Sequence, residues 1–170
     1  MTNGIDLSDL MPNDVEGRRR LVAESVLAAW NKALECRHTD PEGAISSART
    51  LLKTVCQHVL DERGVTHSET LDLPVLMKMT AEQLNLAPTQ GSAAVFKRIF
   101  GGAASVVEGL SSLPNVIGGA HEHGWPARPT ARHAQLAVNM AGAIAMFLVE
   151  AWEARVEDDF LEIIDDSKGG

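Results

Sequence analysis

Tyrosine is missing from the sequence, and the aromatic residues are four Phe and three Trp. So thin an aromatic content argues against an all-β sandwich or barrel, whose strands lean on aromatic and β-branched side chains. Cysteine is scarcer still. Cys36 and Cys56 are too few for a disulfide scaffold. Each falls in a helical pattern among apolar neighbours, which points to a reduced, buried thiol. No apolar run approaches the roughly 20 residues of a membrane span; the most apolar stretch, Met140 to Val149, is closed by Glu150. The opening MTNGIDLSDLMPND has neither a basic start nor a long apolar segment, so no secretory signal is visible. The expectation is a cytoplasmic protein without a membrane partner.

Several motifs are absent as well. There is no glycine-rich phosphate loop ending in Gly-Lys-Ser/Thr, no Gly-x-Ser-x-Gly elbow, no Cys-x-x-Cys and no His-Glu-x-x-His. The common nucleotide hydrolase, serine hydrolase and zinc-finger readings therefore have no support. His121 and His123 come nearest to a metal pair, but the usual three or four ligands are not evident. No metal and no cofactor are expected.

What the sequence does hold suits one domain with a sizeable core: 170 residues, 45% of them apolar. The net charge of −8 is unevenly placed. Residues 1–14 carry three acids and no base, and residues 157–170 carry six acids and one lysine. The segment 15–156 is neutral, so the charge does not count against a nucleic-acid partner. The organisation expected is a disordered acidic tail over 1–14, a bundle over 15–156 and an acidic tail over 157–170. The second tail mixes its acids with Phe160, Leu161, Ile163 and Ile164. It reads as a frayed end, as a segment docking on its own domain, or as a handle for a partner protein such as an antitoxin.

Helical periodicity dominates the body. Leu21, Val22, Val26, Ala29, Trp30, Ala33 and Leu34 recur at three- and four-residue spacing and predict a first helix from Val15 to Leu34. The basic run Arg18–Arg20 lies in its first turns, where it reads as a solvated face or a phosphate contact. Asp40-Pro41-Glu42 is a helix start, with a capping Asp, a Pro at the first helical position and an acid in the first turn. That helix stops at Gly64. A third runs from near Asp72-Leu73-Pro74 to before Pro88, and a fourth from about Ser92 to Leu110. The pair Gly101-Gly102 inside the fourth predicts close approach of a neighbour or a kink. A loop over 111–129 follows, and a last helix opens near Pro129. Its small residues predict close packing against another helix. No segment shows a two-residue alternation, so the fold class expected is an all-α, single bundle of about five helices.

Chemistry gathers in the loop and the start of the last helix, which hold Asn115, His121, His123, Trp125, Arg128, Arg132 and His133. Loops rich in such residues and held by rigid helices are common places for function. Trp125 reads as a base-stacking platform or as a plug at the bundle edge. Arg132 and His133 read as a site pair or as an anchor of the loop.

Here the sequence resembles a known family. The stretch DPEGAISSARTLLKTVCQHVLDERG over 40–64 looks like the opening of the abortive-infection C-terminal (Abi-C) domain of bacterial phage-defence proteins. The resemblance continues through Asp72-Leu73-Pro74, GGAASVVEG over 101–109 and GGAH over 118–121. It closes with RPTARHAQLAVNMAG over 128–142 and FLVEAW over 147–152, the most specific part, and so covers about residues 40–152. Such domains are similar to the HEPN superfamily of helical bundles, which often dimerise and often cleave RNA without a metal. The resemblance implies a HEPN-like bundle, a homodimer and a phage-defence toxin acting as an endoribonuclease, with no DNA specificity.

The family's signature is an Arg, a polar residue that is usually Asn, and a His a few positions on, typically Leu-Arg-Asn-x-x-Gly-Asp-Ala-His-Gly. This chain reads Leu113-Pro114-Asn115-Val116-Ile117-Gly118-Gly119-Ala120-His121-Glu122. Asn115, Gly118, Ala120 and His121 match; Pro114 stands in place of the Arg. The resemblance assigns His121 as acid/base and Asn115 as its positioning residue. Metal-free RNA cleavage also needs positive charge on the transferring phosphate. Arg128, Arg132, His133, His123 and Trp125 are the candidates for holding RNA. Pro offers neither charge nor donor, so the alternative reading is an inactive HEPN-like module that binds RNA, a nucleotide or a partner protein.

Overall fold

Five stretches of helical periodicity become five helices in the computed structural model, which describes residues 15–86, 90–117 and 128–168. In chain order they are α1 (Val15–Cys36), α2 (Pro41–Glu62), α3 (Leu73–Gln83), α4 (Gln90–Ile117) and α5 (Ala131–Lys168). There is no strand among the described residues. The fold is an all-α bundle, as the periodicity predicts. The segment 1–14, read as a disordered tail, lies outside the described residues.

The helix ends follow local chemistry. Asp40 caps α2 by accepting from Gly43 N at 2.9 Å, with Pro41 at the first helical position. At the other end Gly64 takes a φ of +68°. Its N–H bonds Asp61 O at 2.9 Å and the Val65 N–H bonds Leu60 O at 2.9 Å, the paired closure of a left-handed helix cap. The same closure ends α3, with Asn85 at φ +51° in the glycine position. Asn85 N bonds Glu82 O and Leu86 N bonds Ala81 O, both at 3.1 Å.

Helix α2 lies at the centre and touches each of the other four. Its buried stripe runs Ala44, Ile45, Ala48, Leu52, Val55, Cys56, Val59 and Leu60. Against it α5 presents Ala134, Ala137, Ala141 and Ala145, all fully buried, and then Leu148, Val149 and Trp152. Small side chains at this spacing let two helix backbones approach. By length and composition alone α5 also passes for a membrane-crossing helix, but 44% of its most apolar window is buried inside the bundle. Arg49 Nε bonds Glu108 Oε1 at 2.8 Å and ties α2 to α4.

Three expectations change. The fourth helix does not stop at Leu110; it continues through Pro114 to Ile117, so the loop expected over 111–129 loses its first seven residues to α4. A Pro deletes one helical hydrogen bond without obliging the helix to end. The hydroxyls of Ser111 and Ser112 bond Val107 O and Glu108 O at 2.8 and 2.9 Å, which keeps both serines within helical geometry. Gly101 and Gly102 meet nothing within 4 Å of where a Cβ would sit, so no neighbour approaches closely there and α4 runs on as one helix. Leu21, read as part of the apolar stripe of α1, is 39% exposed, because α1 buries little beyond Val26 and Ala33.

The acidic end is helical up to Lys168. Its first turn is held by three ion pairs: Glu157 with Arg19 at 2.9 Å, Asp159 with Arg155 at 3.2 Å, and Asp159 with Arg63. Beyond it Phe160, Leu161 and Ile163 are exposed.

Candidate functional site

The end of α4 and the start of α5 carry the residues the sequence singles out. Asn115 falls in the last turn of α4. His121, His123 and Trp125 lie outside the described residues. Arg128 precedes α5 and Arg132 lies in its first turn; both are exposed, and neither makes a hydrogen bond or ion pair among the described residues. Pro129 between them is buried, which seats the chain before α5 begins.

His133 does local work. The Thr130 backbone N–H donates to His133 Nδ1 at 3.0 Å, and Thr130 Oγ1 lies 3.0 Å from the same nitrogen. In turn the His133 N–H donates to Thr130 O at 3.0 Å. A side chain at the third helical position reaching back to the capping residue's N–H is the arrangement Glu or Gln usually supplies at a helix start. Because Nδ1 accepts, the ring proton of the neutral form is on Nε2. Of the two sequence readings of His133, the anchor is the one this geometry supports.

What remains for binding at this end is charge. Two guanidiniums unpaired among the described residues, beside a helix N-terminus, attract an anion, and guanidinium holds phosphate in bidentate fashion. The basic run on α1 is different. Arg19 is only 7% exposed and spends its guanidinium on Glu157, so it belongs to the fold rather than to a phosphate contact. Among the described residues no three His, Cys, Asp or Glu side chains come together to hold a metal ion.

Two recesses lie away from this end. The polar one, about 580 Å³, sits on the α2–α3 connection. There His67 Nε2 bonds Asp61 Oδ1 at 2.9 Å and Lys53 Nζ donates to Glu69 O at 2.6 Å. The larger one, about 1010 Å³, opens between α1 and α2. Its walls include Leu21, Val22, Ala29, Ala33, Leu51 and Val55. At its α5 side His58 and Trp152 meet edge to face, ring centroids 5.1 Å apart at 79°. His58 Nε2 and Trp152 Nε1 are both shielded and have no hydrogen-bond partner among the described residues. Sequence reasoning missed this cavity. The available signal was His58 itself, a polar residue inside the apolar stripe of α2.

Burial also marks the other cysteine reading. Cys56 is fully buried, and that burial pushes its thiol up to about 11, with a smaller opposing effect from the Thr80 hydroxyl. Cys36, at the end of α1, is partly exposed.

No curated protein and no solved structure matches the chain. A family model does, and it is the model of the Abi_C HEPN-like domain. The match spans residues 24–152, reaching back into α1 and ending at the Trp152 that closes the α1–α2 cavity. Since it takes in most of the chain and the bundle is helical throughout, the protein belongs to the Abi_C family of HEPN-like domains.

Proposed function

We propose that this protein serves phage defence as a metal-independent endoribonuclease, working at the end where α4 gives way to α5. Family membership supports the class, and the match of Asn115 and His121 to the signature supports the chemistry. The observation that carries the reading is the pair Arg128 and Arg132. Both are exposed and unpaired among the described residues, flanking the start of α5 just after the motif. They supply the positive charge that Pro114 removes from the signature. In this scheme His121 accepts the proton of the 2′-hydroxyl or returns one to the leaving oxygen, which an imidazole does readily near neutral pH. Asn115 positions it, and the guanidiniums hold the phosphate as charge builds. Trp125 and His123 contact the RNA.

Exposed Val95, Ile99, Leu136 and Phe147 on α4 and α5 support a homodimer, which would bring two such ends into one assembly. The cytoplasm, where RNA is the substrate, is the compartment this activity requires.

The second reading is favoured by Pro114: an inactive module that binds RNA, a nucleotide or a partner protein. One assay separates the two. EDTA-treated protein cuts RNA, His121→Ala abolishes cutting, and the double change Arg128→Ala/Arg132→Ala lowers it by about 10²–10³-fold, the usual scale for losing a transition-state donor. If the wild type is inert and Pro114→Arg becomes active, the second reading replaces the first. Light scattering at twice the chain mass checks the dimer.

A further inference from the structure

Helix α5 packs against α1, α2 and α4, and leaves an outward stripe uncovered among the described residues. Leu136, Met140, Ala143, Phe147, Ala151 and Ala154 recur along it at three- and four-residue spacing. Leu136 is 51% exposed and Phe147 40%. Between Arg132 and Glu157 the one charged residue of α5 in the exposed class is Glu150, so the middle of the stripe is nearly free of charge. Charge gathers instead at its two ends, with opposite sign. Arg128 and Arg132 lie at the start; Glu162, Asp165 and Asp166 lie at the other end, beside the exposed Leu161. Glu157 and Asp159 are held by Arg19, Arg63 and Arg155 of the same chain. The three acids beyond them are exposed and have no ion-pair partner among the described residues.

The two ends cannot meet within one chain, because the helix between Arg132 and Glu162 spans about 45 Å. A second copy can bring them together. Arg132 and Glu162 lie fifteen positions to either side of Phe147, and Arg128 and Asp166 lie nineteen. Two α5 helices laid antiparallel about a two-fold axis at Phe147 set the basic start of each against the acidic end of the other. The apolar middle is then buried and each end meets opposite charge, whereas a parallel pairing sets like charges together at both ends. We propose that the acidic end of α5 in one copy covers Arg128 and Arg132 of a second, so that RNA reaches those guanidiniums only by displacing carboxylates. This goes beyond the dimer proposed above: it fixes the register, and the partner's Glu162, Asp165 and Asp166 stand where phosphates would bind. The contact stands apart from the cleavage reading; the competition with RNA rests on it.

Charge reversal in the full chain tests the contact. Arg128→Glu/Arg132→Glu makes both ends of the stripe acidic, and Glu162→Arg/Asp165→Arg/Asp166→Arg makes both basic. By light scattering each is monomeric at a concentration where the wild type is dimeric, with the wild-type circular dichroism. Mixed in equal amounts, the two form a heterodimer, because both contacts then join opposite charges. The competition is read by fluorescence anisotropy with a labelled 2′-O-methyl single-stranded RNA, which offers no 2′-hydroxyl to attack. Glu162→Gln/Asp165→Asn/Asp166→Asn binds it at least about tenfold more tightly than the wild type. Glu24→Gln/Glu35→Gln/Glu69→Gln makes an equal change of net charge at exposed acids elsewhere and gains less than about threefold. The proposal is overturned if the wild type is monomeric, if both charge-reversed chains stay dimeric, if their mixture does not associate, or if the two neutralised variants bind RNA equally. RNA binding absent from every variant while the mixture associates overturns the RNA-site reading and the competition with it, and leaves the contact.

Discussion

The indole of Trp30 occupies the space that a Cβ on Gly142 would take, while its Nε1 donates to Asn139 Oδ1 at 3.3 Å. Three residues thus clasp α1 to α5. Gly142 lies inside a helix, where glycine costs about 1 kcal/mol relative to alanine. That cost persists because the ring needs the room. Gly142→Ala is therefore expected to destabilise the protein by about 1–3 kcal/mol, the scale of overpacking. In a Trp30→Ala background the same change should be neutral or stabilising. Urea unfolding of the four proteins in this cycle checks the sign reversal.

The His133 cap separates folding from function. His133→Ala should cost about 0.5–2 kcal/mol of stability, as the loss of a helix cap does. His133→Gln, which can still accept from Thr130 N–H, should recover most of it. Both variants should keep RNA-cleavage rates close to wild type where folded, in contrast to Arg132→Ala. A large rate loss in His133→Gln at full stability would return His133 to the site.

Burial predicts the order of thiol labelling. With its thiol pushed up to about 11, Cys56 carries almost no thiolate at pH 8 and lies out of reach of reagent. Iodoacetamide at pH 8 should label Cys36 alone in the native protein and both cysteines after denaturation. Mass spectrometry of the peptides reads the result.

Acid should loosen the end of α5. The Arg63 guanidinium holds the Asp159 carboxyl below the usual carboxylate range, and Arg155 adds to this. A carboxylate depressed in the folded state stabilises above its unfolded value, about 3.9, and loses that contribution as the pH falls through the folded value. Wild-type stability should fall more steeply than that of Asp159→Asn as the pH drops below about 4. Near neutrality Asp159→Asn should be the less stable of the two. Urea midpoints measured between pH 3 and 6 test both statements.

The share of the molecule readable in one dimension is large and specific. A period of 3.6 residues, the Asp40-Pro41 start and the Gly64 stop act within a few residues of one another, so the chain declares them before it folds. The same holds for the family, because RPTARHAQLAVNMAG over 128–142 packs several constraints into one helix. Structure supplies reasons for two of them: Asn139 and Gly142 receive Trp30, and His133 closes the start of α5. The first reason was not visible from spacing, since Trp30 is more than a hundred positions away from its partners, whereas the partner of His133 lies three residues before it.

Other features depend wholly on which helices meet. Arg19 looks like any surface arginine in a basic run until α5 brings Glu157 to it. The acidic end reads equally well as frayed or docked until Arg63 takes up Asp159. His58 sits in an apolar stripe like a satisfied core histidine, yet α5 sets its ring edge to face with Trp152, and neither ring nitrogen finds a partner among the described residues. Local chemistry dictates helices and caps because its partners are adjacent along the chain. Ion pairs and cavities are long-range, and they exist only where packing brings distant helices together or holds them apart.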